Sequence, residues 1–295
     1  MTQVTYRQPL ETEIEETAGV FLEAVADLYA RHGLPGAALP ERPFIEKMYE
    51  YIRRTGIFRV AESEGRIVAV CHAVVRDSLW FLSGFWALPA LQRQRIGMPL
   101  LREVWEEGAR AGARTFFTWS SVDTTAMAAY MKMEMLPGYQ ILTFAGAPRV
   151  TPPPLDVYET RPLDVAAAVS IDERVRATGR EVDHRLWLSD ADYTGRLVLG
   201  RGGRVAGYYY FQQSGVVGPA AWDAAEDAEG LLSAAFREAS ARSGGQVRLA
   251  LPGINHAGIR FSLASGLRLL AYTHLLTTAP FGRMECYVPS GPSLF

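Results

Sequence analysis

The strongest constraint on this chain is that it says nearly the same thing twice. FRVAESEGRIVAV at 58–70 reads as strand, tight turn, strand, and LVLGRGGRVAGYYY at 197–210 reads alike, with Gly-Arg at 65–66 and again at 203–204. Leu100, Leu101, Val104 and Trp105 then fall at helical spacing, as do Leu231, Leu232, Ala235 and Phe236, so each half buries one helix stripe. Each stripe leads into an apolar strand, 115–119 in one half and 247–251 in the other. Asp123 and Asn255 follow as N-caps of one more helix. Self-similarity on this scale is information about the fold before it is information about function.

A seam divides the copies. Ala147–Pro154 reads APRVTPPP, and three consecutive prolines offer no N–H to a helix or sheet. The expected units are therefore 1–148 and 155–295, in keeping with about two domains for 295 residues. Hydrophobic residues at 48% against 21% charged leave ample apolar surface for two cores, which excludes disorder as the main state. Thirty basic and thirty-two acidic residues give a net charge of −2. Neither half is basic, so no nucleic-acid partner is expected.

The longest uncharged stretch, Val205 to Trp222, is broken by Gln212, Gln213, Ser214, Pro219 and several glycines, so no membrane span or membrane partner is expected. The acidic start MTQVTYRQPLETEIEE has no apolar signal region, and two distant cysteines, Cys71 and Cys286, make no disulfide framework; the expected compartment is the cytoplasm. Five scattered histidines supply no paired ligand spacing, so no metal is expected. The chain also lacks a Gly-x-Ser-x-Gly elbow, a Gly-x-Gly-x-x-Gly fingerprint and a P-loop.

Periodicity completes the first copy. Thr12-x-x-Glu15 has the form of a capping box, followed by Val20, Phe21, Ala24, Val25 and Leu28, with Gly33 as a stop. A second helix is predicted over 43–55, with Phe44, Ile45, Met48 and Ile52 on one side. Strands are predicted over 57–62, 66–76 and 78–88. Helix, helix, three strands, helix, strand, helix, strand is an α/β layout with a mixed sheet.

The chemistry concentrates after the third of these strands, in ALPALQRQRIGMPLL at 87–101. A strand ends, a short loop turns, and a helix starts near Gly97. The first N–H groups of that helix have no partner inside it, and its dipole adds partial positive charge, which suits a pyrophosphate. Pro99 falls in the first turn, where its missing N–H is not needed. Arg93 and Arg95 add positive charge. The same text also fits an ordinary strand-to-helix turn with solvated arginines, and Arg95 either pairs with phosphate or crowds the loop.

In order and local text the first copy resembles the GNAT N-acetyltransferase superfamily, whose acyl-CoA loop reads Gln/Arg-x-x-Gly-x-Gly/Ala. Gln92 stands at its first position, Gly97 at its last, and Arg95 where the family has its middle glycine. Downstream, DTTAMAAY at 123–130 is similar to the family's Asn-x-x-Ala-x-x-x-Tyr helix, with Asp123 in place of Asn. The family's Gly-Phe pair is absent at Glu134-Met135, and Gly138-Tyr139 follows later, which implies a local insertion.

The resemblance implies two tandem GNAT-like domains, each a mixed, mostly antiparallel sheet flanked by helices. It implies an acyl-CoA-dependent N-acetyltransferase with acetyl-CoA as co-substrate, bound by Trp86, Ala87, Leu88, Gln92, Arg93, Gln94, Arg95, Ile96, Gly97, Met98, Pro99 and Asp123. Tyr130 becomes the acid that protonates the departing thiolate; read without the family it is equally a core tyrosine. Backbone N–H groups near Phe85–Ala87 would hold the thioester carbonyl. The strand 80–88 carries no carboxylate, so the base is open between a water chain, Glu50 and an already neutral amine. The expected partner is a small-molecule amine, for a monomer or homodimer; a non-catalytic acyl-CoA-binding sensor or partner module is the other reading.

The second copy keeps the frame without these parts. Asp223, Glu226, Asp227 and Glu229 stand where a phosphate cradle would be, and Ser262 where the acid tyrosine would be. This copy is expected to be degenerate and not to bind CoA.

Overall fold

In the computed structural model, residues 4–32, 39–92, 94–149 and 158–295 are described. Gly33, Arg93 and the prolines at 152–154 lie outside them. The chain forms two compact units, one of 1–118 with 123–135, the other of 119–122 with 136–295. Among the described residues no helix is long and apolar enough to cross a membrane, and no group of three or more His, Cys, Asp or Glu is placed to hold a metal ion.

The first unit begins with β1 (Val4–Arg7), α1 (Ile14–Arg31) and α2 (Arg42–Thr55). Val20, Ala24, Val25 and Leu28 of α1 are buried as their spacing requires. The cap is not the one expected. Glu13, not Glu15, accepts the reaching-back bond, from the Leu10 amide at 2.7 Å, because Arg7 at the end of β1 grips the same carboxylate at 2.7 and 2.8 Å. On α2 the core face is Ile45, Met48, Tyr49 and Ile52, whereas Phe44 is exposed.

β2 (Ile57–Ser63), β3 (Arg66–Arg76) and β4 (Leu79–Ala87) form an antiparallel meander, with β1 on its outer edge. Glu64 and Gly65, both at positive φ, make the turn between β2 and β3. α3 (Gly97–Arg110) crosses over to β5 (Thr115–Ser120), which pairs parallel to β4, and α4 (Thr124–Met131) follows. Phe58 packs on Tyr49 of α2, while its neighbour Arg59 pairs with Glu103 and Glu107 of α3. Consecutive side chains of a strand face opposite ways, so α2 and α3 cover opposite faces.

The second unit repeats the order: β7 (Glu159–Pro162), α5 (Val165–Arg176), α6 (Glu181–Ser189), β8 (Tyr193–Leu199), β9 (Val205–Gln212), β10 (Val216–Trp222), α7 (Asp227–Arg242), β11 (Val247–Pro252), α8 (His256–Ala264), β12 (Arg268–Thr277) and β13 (Tyr287–Val288). Leu231, Leu232, Ala235 and Phe236 of α7 are buried, as their spacing predicts. Its sheet also contains β6 (Leu136–Gly146), which lies antiparallel between β11 and β12 although it belongs to the first copy in sequence. The remaining neighbours run β11, β10, β9, β8, β7, of which only β10 and β11 pair in parallel. Both units are therefore mixed, mostly antiparallel sheets flanked by helices.

Hydrogen bonds verify the duplication residue by residue. Asp123 Oδ1 accepts from the amides of Thr125 and Ala126, and Asn255 Oδ1 accepts from the amide of Gly258. At the far end of these helices, Met135 N–H returns to the Tyr130 carbonyl at 3.1 Å and Leu267 N–H to the Ser262 carbonyl at 3.0 Å. Tyr130 and Ser262 are thus equivalent. The insertion expected after α4 is absent: Glu134 adopts φ 63°, where the second copy has Gly266 at φ 87°, and β6 begins directly. Met135 and Leu267 then occupy matching buried positions.

Candidate active site

The site grows from a mismatch in β4. Its parallel ladder with β5 runs from Leu79↔Thr115 to Leu82↔Thr118 and stops. On the other side the register with β3 slips between Ala73↔Leu82 and His72↔Gly84, leaving Ser83 as the extra residue of a bulge. Beyond it Ser83, Phe85, Trp86 and Ala87 are only half-buried, whereas Trp80, Phe81, Phe116 and Phe117 below it form core.

The loop after β4 is fastened locally. Leu88 N–H donates to Val68 O, and Gln92 Nε2 returns to Ala87 O at 3.3 Å. Gln94 Nε2 bonds Ala90 O at 3.1 Å. Arg95 takes φ 64°, the left-handed conformation that glycine adopts most readily. Its side chain is exposed and ion-pairs with no described residue. Ile96 then caps α3, and its carbonyl accepts from the Tyr6 hydroxyl of β1 at 3.2 Å. The amides of Ile96, Gly97 and Met98 donate to no acceptor among the described residues, and Pro99, at the third helical position, has no N–H to place. This end of α3 is a set of outward donors with the positive end of a helix dipole behind them.

Gly97 is fixed by its surroundings: a Cβ there would lie 2.8 Å from Phe85 Cζ. Only glycine brings the first turn of α3 so close to β4. On its other side the Phe85 ring lies 6.2 Å from that of Tyr130, so α3, the half-buried end of β4 and the tyrosine of α4 share one face. Tyr130 is 6% exposed, and its hydroxyl has no hydrogen-bond partner among the described residues. Burial, then Cys71 and Asp123, push its phenol well above the usual value, so it remains protonated and able to donate.

Asp123 acts through α4. Burial works to raise its carboxyl, but the amides of Ala126 and Thr125 and the Arg31 guanidinium at 3.1 Å hold it below the usual carboxylate range. Trp86 packs edge-on against Phe21 of α1. Leu88 borders a cavity of about 660 Å³ whose walls include Glu15, Glu16, Glu23, Arg42 and Arg66. Arg93 lies outside the described residues.

Sequence reasoning missed His72, one histidine among five until the hairpin register places it. Its ring lies against Gly84, where a Cβ would fall 2.3 Å from Nε2. Tyr49 and Phe58 enclose it, both ring nitrogens are unpartnered among the described residues, and burial lowers its pKa to about 3. It is a neutral core residue on the face opposite Phe85. Glu50 ion-pairs weakly with Arg54 at 3.6 Å.

The sequence pattern of the Acetyltransferase (GNAT) family matches residues 22–135. No curated protein matches the chain. Among solved structures, one from Pyrococcus horikoshii superposes with a TM-score of 0.77 at 15% identity, covering 99% of this chain and 96% of that one. A tandem GNAT protein from the clavulanic acid biosynthesis pathway gives 0.63 at 16% identity, over 94% and 99%. A GCN5-related N-acetyltransferase from Sphaerobacter thermophilus gives 0.64 at 16% identity, over 94% and 96%. The GNAT pattern thus covers residues 22–135, and the chain shares the fold of these GNAT structures over nearly its whole length.

Proposed function

We propose that the chain is an N-acetyltransferase that moves the acetyl group of acetyl-CoA to the primary amine of a small molecule, with the chemistry in its first unit. One observation carries this reading: the unused amides at the start of α3, the half-buried end of β4 and the Tyr130 hydroxyl are joined along one face through Gly97 and Phe85. The cradle is of the kind a diphosphate needs, and a Cβ at Gly97 would push it away from Phe85.

Acetyl-CoA supplies the activated thioester. The amides of Gly97 and Met98, with Arg95 and Arg93, hold the diphosphate. Backbone N–H groups near Phe85–Ala87 stabilise the carbonyl oxygen as charge develops on it. The neutral amine nitrogen attacks the thioester carbon, the C–S bond breaks as Tyr130 donates its phenolic proton to the departing sulfur, and the proton shed by the nitrogen returns through water to the phenolate. The cavity beside Leu88 carries three carboxylates, Glu15, Glu16 and Glu23, against the guanidiniums of Arg42 and Arg66, an excess of one negative charge that suits a basic acceptor.

Two measurements test this. Calorimetric titration is expected to show acetyl-CoA binding; none at millimolar ligand overturns the reading. Tyr130→Phe is expected to lower kcat by about 10²-fold or more with little change in acetyl-CoA affinity. Because β4 has no carboxylate to serve as base, the wild-type rate should rise with pH as the acceptor amine loses its proton. The raised Tyr130 phenol places any fall above the ordinary tyrosine range near pH 10. The missing carboxylate is also what favours the second reading, a non-catalytic acyl-CoA-binding module; binding without turnover across an amine panel would select it.

A further inference from the structure

The second unit contains the same break in its sheet, and there the gap is filled. The parallel ladder between β10 and β11 consists of Val216↔Arg248 and Val217↔Leu249 and then stops, as that between β4 and β5 does. Further along, Ala220 and Ala221 pair with Tyr209 and Tyr208 of β9 on one edge and with Val288 and Tyr287 of β13 on the other. Each strand has two edges, so β13 lies on the edge that in β4 carries no strand beyond Leu82 among the described residues. The burial follows: Val217–Trp222 are all buried, in contrast to the half-buried end of β4.

Four further contacts hold the segment. Gly218, at φ 141°, has no space for a side chain, since a Cβ would lie 2.3 Å from the Pro289 carbonyl oxygen. Asn255, the counterpart of Asp123, caps α8 with its oxygen and uses its amide to donate to the Tyr287 carbonyl at 3.0 Å. The Tyr287 hydroxyl donates to the Phe295 carbonyl at 2.8 Å, and Arg180 Nη1 donates to the same oxygen at 2.9 Å. Arg180 is itself fixed by Asp172, which also accepts from Tyr208. Nearby, Asp227 is buried at the start of α7 against Arg204, so this helix end presents a carboxylate where α3 presents bare amides.

We propose that residues 283–295 are a built-in occupant of the second unit's counterpart of the acetyl-CoA site, with Tyr287-Val288 taking the edge of β10 equivalent to the β4 edge whose N–H groups near Phe85–Ala87 are assigned above to the thioester. The chain accordingly takes one acyl-CoA, in the first unit; this count rests on the function proposed above, whereas the occupancy of the second cleft does not.

Calorimetry and hydrogen exchange on the full chain, with and without millimolar acetyl-CoA, test it. One site per chain is expected, with added protection in peptides spanning 79–101. The amides of 286–290 should be strongly protected in the free protein and unchanged by ligand. Gly97→Trp should abolish binding while that protection persists. Two sites per chain, residual binding by Gly97→Trp, or loss of protection over 286–290 on adding acetyl-CoA would each overturn the proposal. If the wild type binds nothing, the transferase reading fails by itself, and the occupant still stands or falls by the protection of 286–290 in free protein.

Discussion

Arg95 and Gly97 show opposite ways of meeting a backbone demand. Arg95 accepts a left-handed conformation that costs roughly 1–2 kcal/mol for an L-residue, and so retains a guanidinium two residues from the helix start. Gly97 retains nothing but closeness to Phe85. Gly97→Ala is therefore expected to push the first turn of α3 off β4 and weaken acetyl-CoA binding by about tenfold, roughly 1.4 kcal/mol. Adding Phe85→Leu should recover part of that loss. Titration calorimetry on the two variants reads both effects, and an unchanged Kd for Gly97→Ala would remove the close approach as the reason for the glycine. The loop's glycine position was legible from sequence. The reason for it was not, because Phe85 is twelve residues away and meets Gly97 only through the fold.

At the scale of elements, α4 is eight residues long and depends on its cap. Asp123→Ala should cost about 1 kcal/mol. The folded Asp123 carboxyl titrates below its unfolded value, so the stabilisation is present above the unfolded carboxylate range and disappears as pH falls through the lower folded value. Chemical denaturation of wild type and variant should differ at pH 7 and converge in acid; a difference that persisted there would point to packing instead of charge. Hairpins, amphipathic helices and both caps of the α4 and α8 pair could be read from spacing and residue type, since each is decided within a few neighbours. The start of α1 could not, because Arg7 recruits Glu13 from outside the helix. Nor could the end of α4, where Glu134 does a glycine's work and made the text look like an insertion. His72 stayed hidden for the same reason, its setting being defined by Gly84 across the hairpin.

For the whole molecule, the strand Leu136–Gly146 matters most. Both of its neighbours, β11 and β12, come from more than a hundred residues later in the chain, and Ile141 and Phe144 are buried with them. A fragment cut at the proline-rich seam, 1–148, keeps this strand and loses both partners. It is expected to bind a hydrophobic dye and aggregate more than a fragment ending at 135; equal behaviour of the two would show that β6 has no need of the second copy. The duplicated text suggests two beads on a string, and local periodicity could not reveal otherwise, because strand pairing at this distance leaves no mark on spacing. For the nascent chain the consequence is one of timing. With the segment from 136 to 146 already outside the ribosome, its hydrogen-bonding edges must stay unmatched while on the order of 100 further residues are synthesised, several seconds or more at ordinary translation rates. Such a high contact order makes this segment the natural one for a chaperone to shield until the later strands emerge.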